Sequence, residues 1–167
     1  MPKTFKNAPI TLEGNTKTLG EKAPDFTALD RSLAEVSLSD FDDPIIVISV
    51  VPSIDTGVCD FQTKQFNQRL NDLEGVRVIT ISNDLPFAHR RWCASEGLEH
   101  ITTLSDHRDL DFAMKYGTHI KELRLQARSA FVLDTNRTIT YAEYLDEMSN
   151  HPDYESLIEH VKTHLNY

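Results

Sequence analysis

Cysteine is scarce in this chain: 167 residues carry two, Cys59 and Cys93. Without an export signal such a pair belongs in a reducing compartment, where a permanent structural disulfide is not expected and a catalytic or sensing pair is. Thirty-three residues lie between the two, which excludes a C-x-x-C redox motif. Cations are also few, with 17 Lys and Arg against 26 Asp and Glu and a formal net charge of −9. Nucleic-acid binding needs clustered cations to neutralise phosphates, so that class is excluded, and Arg90-Arg91 reads as a solvated helix face. No apolar run approaches the roughly 18 residues of a membrane span, and the chain opens on no hydrophobic signal segment. No membrane association and a cytoplasmic location are therefore expected. Repeats and low-complexity segments are missing as well, and the length suits one domain, 1–167, with a real core. A metal site lacks ligands: His89 and Cys93 share a helix face at i, i+4, but no second close pair completes a tetrahedral zinc set. Most of the seven His residues are read as surface groups.

What the sequence does have is a dense stretch from Val47 to Phe66. Six of the seven residues from Ile45 to Val51 are Ile or Val, a pattern for a strand buried on both faces of a sheet. Pro52 has no N–H to donate and ends the ladder. Phe66, Leu70 and Leu73 then recur at i, i+4, i+7, and Cys59, seven before Phe66, shares that helix face. Thr56 is the predicted N-cap, its hydroxyl accepting an N–H from the first turn. Unpaired N–H groups and the positive end of the helix dipole favour an anion there, hence the thiolate of Cys59. The plain alternative, a small buried hydrophobe, accounts for neither the proline-bearing loop nor the helix start.

Around this stretch the pattern predicts an N-terminal hairpin (Thr4 to Lys6, Ile10 to Glu13) and a short strand at Val36 to Leu38. A helix over Asp60 to Leu73 crosses to a second buried strand, Val76 to Ser82, in parallel. Asp84 is the predicted N-cap of a helix with Pro86 in its first turn, carrying Phe87, Trp92 and Cys93 and stopped by Gly97. Its poor amphipathicity predicts a loosely held element. A strand at Ile101 to Ser105, a short helix from Leu110 to Tyr116, a hairpin of Ser129 to Asp134 with Thr138 to Glu143, and a last helix from Tyr154 to Leu165 complete an α/β sandwich with a mixed sheet.

The string Pro52-Ser53-Ile54-Asp55-Thr56-Gly57-Val58-Cys59 resembles the peroxidatic motif Pro-x-x-x-Thr-x-x-Cys of the thiol peroxidase (Tpx) subfamily of peroxiredoxins, of the atypical 2-Cys type. Ala23-Pro24-Asp25-Phe26, Ser82-Asn83-Asp84-Leu85-Pro86-Phe87-Ala88 with Trp92-Cys93, and Pro152-Asp153-Tyr154-Glu155 resemble further segments of that family, so the likeness spans nearly the whole chain. It implies a thioredoxin-like fold and reduction of hydrogen peroxide or alkyl hydroperoxides. Cys59 would be peroxidatic and become a sulfenic acid, and Cys93 would resolve it as an intramolecular disulfide. No cofactor is implied, only an external dithiol, thioredoxin, as reductant and partner, and a homodimer. Pro52 would shield the pocket, Thr56 would hydrogen-bond thiolate and peroxide, and Arg128 would point its guanidinium at both, with Arg124 the local competitor. The family commonly has Gly-Leu where this chain has Leu125-Gln126.

Such partners are needed on kinetic grounds. Lowering a thiol pKa from about 8.5 to about 6 raises the anion at pH 7 roughly thirtyfold, but a Brønsted slope near ~0.45 removes about tenfold of that. Orientation of the peroxide and stabilisation of the leaving oxygen must supply the rest. Two other readings use the same residues: a non-enzymatic peroxide-sensing switch built on the same pair, and a plain structural domain with inert cysteines.

Overall fold

The computed structural model describes residues 2–165, so residues 1, 166 and 167 of the expected domain lie outside the described part. In chain order the elements are β1 (Lys3–Phe5), β2 (Ala8–Ile10), β3 (Leu12–Glu13), β4 (Thr27–Leu29), β5 (Glu35–Ser37), β6 (Ile45–Val50), α1 (Gly57–Leu70), β7 (Val76–Ser82), α2 (Pro86–Glu96), β8 (Thr102–Ser105), α3 (Asp111–Tyr116), β9 (His119–Ile120), β10 (Leu125–Gln126), β11 (Ser129–Leu133), β12 (Ile139–Tyr144) and α4 (Tyr154–Leu165). Seven strands form the main sheet in the order β12-β11-β6-β7-β8-β4-β5. β6, β7 and β8 run parallel, while β11, β12, β4 and β5 pair antiparallel at the two ends. The mixed sheet expected from the pattern is thus present.

β6 lies between β11 and β7, and all six of its residues are buried. Alternation along it feeds two cores. Ile46, Ile48 and Val50 pack with Phe26, Phe112, Tyr116 and Phe131 on one face. Ile45 and Val47 pack with Phe66 and Leu70 of α1 and with Leu157, Ile158 and Val161 of α4 on the other. Burying Phe66 and Leu70 is worth about 2–3 kcal/mol each and pins α1 to the sheet.

The N-terminal hairpin is shorter than predicted and turns on Lys6-Asn7, both at positive φ (50° and 66°). Leu12–Glu13 leaves it to join β9 and β10 in a separate three-stranded sheet. Leu38 opens a 3-10 turn rather than ending a strand, and α1 begins at Gly57 and ends at Leu70. Among the described residues no helix is long and apolar enough to cross a membrane.

Candidate active site

Cys59 is the third residue of α1 and is fully buried, packed with Val51, Ile54 and Trp92. Arg128 precedes β11, which pairs with β6, and this brings its guanidinium to the start of α1. Its Nη2 donates to Cys59 Sγ at 3.1 Å. Nη1 donates to Gln62 Oε1 at 2.9 Å and Nε to the Met148 carbonyl at 2.7 Å, while the backbone N–H of Arg128 points at Met148 Sδ. Gln62 is itself held by donating to Ser49 Oγ and the Val50 carbonyl. Arg128 is 2% exposed, and among the described residues no carboxylate forms an ion pair with it. A buried cation with neutral acceptors has charge to spare for sulfur and for whatever approaches it.

The competitor Arg124 is elsewhere, exposed on the β9–β10 turn at φ 54°. The Leu125-Gln126 departure is put to structural use. Gln126 is buried, donates to Asp106 Oδ2 at 2.8 Å and Asn83 Oδ1 at 3.0 Å, and accepts from Thr118 Oγ1. The Asp106 carboxyl also takes the N–H groups of Phe112 and Ala113. Burial pushes its pKa up to about 6 against those donors.

Thr56 occupies the N-cap position, but its hydroxyl does not cap the helix. It donates back to the Ser53 carbonyl at 3.3 Å, and the side chain is exposed at the mouth of the site. Pro52 is buried beneath the loop. A cavity of about 290 Å³ opens here, lined by Phe5, Lys6, Thr56, Val58, Arg128 and Met148 among others. Sequence reasoning found nothing catalytic in the N-terminal hairpin, yet its Phe5 and Lys6 wall this cavity. Gln62 and Met148 were also missed. Gln62 follows Cys59 by three and so shares its face, a readable signal; Met148 sits in an irregular segment and gave none. Tyr154 is a further neighbour, tilted against Phe61 and edge-on to Phe66, with its phenol pushed up to about 12 by burial while Arg128 pulls it down.

Cys93 lies on α2 in a different cluster with Leu98 and Ile101, and both cysteines are free. Trp92 packs against both clusters and donates Nε1 to Asp60 Oδ1 at 2.9 Å. Burial pushes the Cys93 thiol up. Two readings of this segment are corrected. Leu85, not Asp84, holds the N-cap position, because the Asp84 carboxylate is taken by Ser53 Oγ, the Ile54 N–H and Ser82 Oγ. His89 is no surface group: it is fully buried, 2.7 Å from Ser82 Oγ, and burial lowers its pKa to about 4. His119 is buried too.

The AhpC/TSA family matches residues 19–142. The thiol peroxidase of Oceanobacillus iheyensis is 57% identical over 95% of this chain and 96% of its own. That of Bacillus subtilis is 55% identical over 95% of each. Among solved structures, a peroxiredoxin-like protein from Aquifex aeolicus superposes with TM-score 0.89 at 34% identity, covering 97% of this chain and 96% of its own. A thiol peroxidase from Chromobacterium violaceum has the same TM-score at 19% identity, over 99% and 97%, a likeness of fold.

Proposed function

This chain belongs to the AhpC/TSA family, among its thiol peroxidases, and from that premise we propose that Cys59 reduces hydrogen peroxide and alkyl hydroperoxides with Cys93 as resolving thiol. The Cys59 sulfur attacks the terminal peroxide oxygen, the O–O bond breaks, and water or an alcohol leaves. Cys93 condenses with the resulting sulfenic acid, and thioredoxin reduces the disulfide. We place the reaction in the cytoplasm, and the family resemblance implies a homodimer.

The contact that supports this reading most is Arg128 Nη2 on Cys59 Sγ at 3.1 Å, made by a buried guanidinium held by Gln62 and Met148. Arginine has donors only, so it stabilises charge on the sulfur and on the oxygen that leaves. Thr56 stands at the cavity mouth, where its hydroxyl can turn from the Ser53 carbonyl to a bound peroxide. Pro52 closes the floor of the loop. The two thiols differ in their contacts: Cys59 Sγ accepts from Arg128 at a helix start, while Cys93 packs with Leu98, Ile101 and Trp92. Thioredoxin-linked peroxide consumption is the test. Steady turnover with wild-type protein and none with Cys59→Ser is expected; stoichiometric oxidation without turnover would make the protein a sensor instead.

A further inference from the structure

Cys93 has a polar environment that the peroxide reaction at Cys59 does not use. Its thiol is walled by Leu98, Ile101 and Trp92. Thr103, on β8, is 2% exposed, and its hydroxyl is buried with no hydrogen bond in regular geometry among the described residues. That hydroxyl lies near enough to the thiol to favour the anion. Arg31, half-buried in the turn between β4 and β5, donates Nη2 to the carbonyls of Glu99 at 2.7 Å and Ile101 at 3.1 Å. Those two carbonyls follow α2, and Ile101 itself packs with Cys93, so the guanidinium is pinned at the edge of the thiol's own cluster. Burial raises the thiol's pKa, Arg31 and then Thr103 oppose the rise, and Glu99 adds to it. Of the other ionisable groups nearby, Arg90 lines the same hollow as Arg31 and Glu99, and Asp84 lies 3.9 Å from His89 with His107 close by. His89, one turn back on α2, is neutral above about pH 4, and across the helix pair Lys64 is matched by Asp60 and Glu96.

A resolving thiol attacks as thiolate, so burial by itself works against the step. We infer that Arg31 and Thr103 are a thiol-activating pair for Cys93, a guanidinium and a hydroxyl that stabilise its sulfur as an anion before α2 releases it. The inference rests on the proposed peroxidase cycle. The Cys93 sulfur attacks the Cys59 sulfur of the sulfenic acid; the S–S bond forms and the S–O bond breaks. Hydroxide leaves and takes up the proton given off by Cys93, forming water. Cys59 is reduced and Cys93 oxidised, with no further reagent. Arg31 acts on the reacting sulfur directly, and its ties to Glu99 and Ile101 hold it in place while α2 changes.

The test has two arms. In Cys59→Ser protein, where Cys93 is the remaining thiol, ultraviolet thiolate absorbance is followed against pH. Arg31→Met should move the midpoint up by about one unit, a tenfold loss of anion below it, and Thr103→Val by a smaller amount in the same direction. Arg31→Lys should restore most of the shift. In the two-cysteine protein mixed with one equivalent of hydrogen peroxide, Trp92, the single tryptophan, reports oxidation and then disulfide formation. Arg31→Met should slow the second, peroxide-independent phase about tenfold at pH 7 and move its pH profile upward. An unmoved midpoint in both variants, or Arg31→Lys behaving like Arg31→Met, would overturn the inference. Should Arg31→Met fail to fold, the near-isosteric Thr103→Val decides alone, an unmoved midpoint again overturning it. A wild-type protein that gives no peroxide phase, yet shows the shifted titration, would sink the proposed cycle and leave the activated thiol standing.

Discussion

Arg128 is a full charge at 2% exposure whose partners are a carboxamide, a backbone carbonyl and a sulfur. Burying an ion without a counter-ion costs several kcal/mol unless charge is supplied by something else in the site. An anionic Cys59, and later the oxygen of a breaking peroxide, fit that requirement. Arg128→Met should therefore lower the second-order peroxide rate by about two orders of magnitude or more, while Arg124→Met changes it by less than about twofold, as suits an exposed turn residue. Equal effects of the two would mean that neither acts in the site. Gln62→Met removes the acceptor for Nη1 and the donor to Ser49. It should cost about 1–3 kcal/mol in urea unfolding and about tenfold in peroxide rate; an unchanged rate would show that Arg128 needs no second tether. At this scale Cys59 and its helix start were readable locally, because strand, proline and helix period are consecutive in the chain. The choice between Arg124 and Arg128 came from resemblance, since it depends on the β6–β11 pairing. Thr56 was misread at the level of one hydrogen bond: its hydroxyl donates to the Ser53 carbonyl instead of accepting from the first turn.

α2 was expected to be loosely bound, and it is tied down mainly by polar contacts. Asp84 holds the Pro52 loop to its start, Trp92 binds Asp60, and Lys64 bridges Asp60 and Glu96 across to α1. Its buried residues are Pro86, His89 and Cys93. If, as proposed, oxidation joins Cys93 to Cys59, some of these ties break, and amide protection across residues 86–97 and 56–62 should fall in the disulfide form. Unchanged protection in both segments would refute unwinding. His89 adds a pH dependence. Its folded pKa of about 4 lies below the unfolded 6.5, so the unfolded chain binds the extra proton and stability falls as pH drops from 6.5 toward 4. At pH 5 that loss is about 2 kcal/mol. Asp106 has the opposite sign: raised to about 6 from 3.8, it stabilises at low pH and loses that contribution as pH rises through 6, which offsets about 1 kcal/mol at pH 5. Between pH 7 and 5, His89→Gln should therefore lose about 2 kcal/mol less than wild type in urea unfolding. Identical losses would contradict a buried neutral imidazole. Gly97 at φ 69° closes α2 where the sequence said it would. The role of Asp84 was not readable, because its partners Ser53 and Ile54 are brought to it by the parallel pairing of β6 with β7 and lie about thirty residues away in the chain.

For the whole molecule, alternating strands and helices were enough to predict an α/β sandwich with a mixed sheet, while its thioredoxin-like topology rested on the family motifs. The two-residue strands β9 and β10 carry too little periodicity to be seen, and β3, read as the end of a hairpin strand, pairs with them instead, so their sheet links the N-terminal segment to the region before Arg128. The hairpin ahead of them brings Phe5 and Lys6 over the cavity, so residues from both ends of the chain and its middle meet around Arg128. The central claim is that Cys59, with Arg128 Nη2 on its sulfur, is the thiol that attacks peroxide, and a single-turnover experiment tests it most directly. Reduced Cys59→Ser and Cys93→Ser proteins are each mixed with one equivalent of hydrogen peroxide, and the consumed peroxide and the modified residue are read by mass spectrometry. Cys93→Ser should consume its equivalent rapidly and carry a sulfenic acid on Cys59, while Cys59→Ser should consume almost none. Rapid consumption by Cys59→Ser, with oxidation on Cys93, would contradict the account.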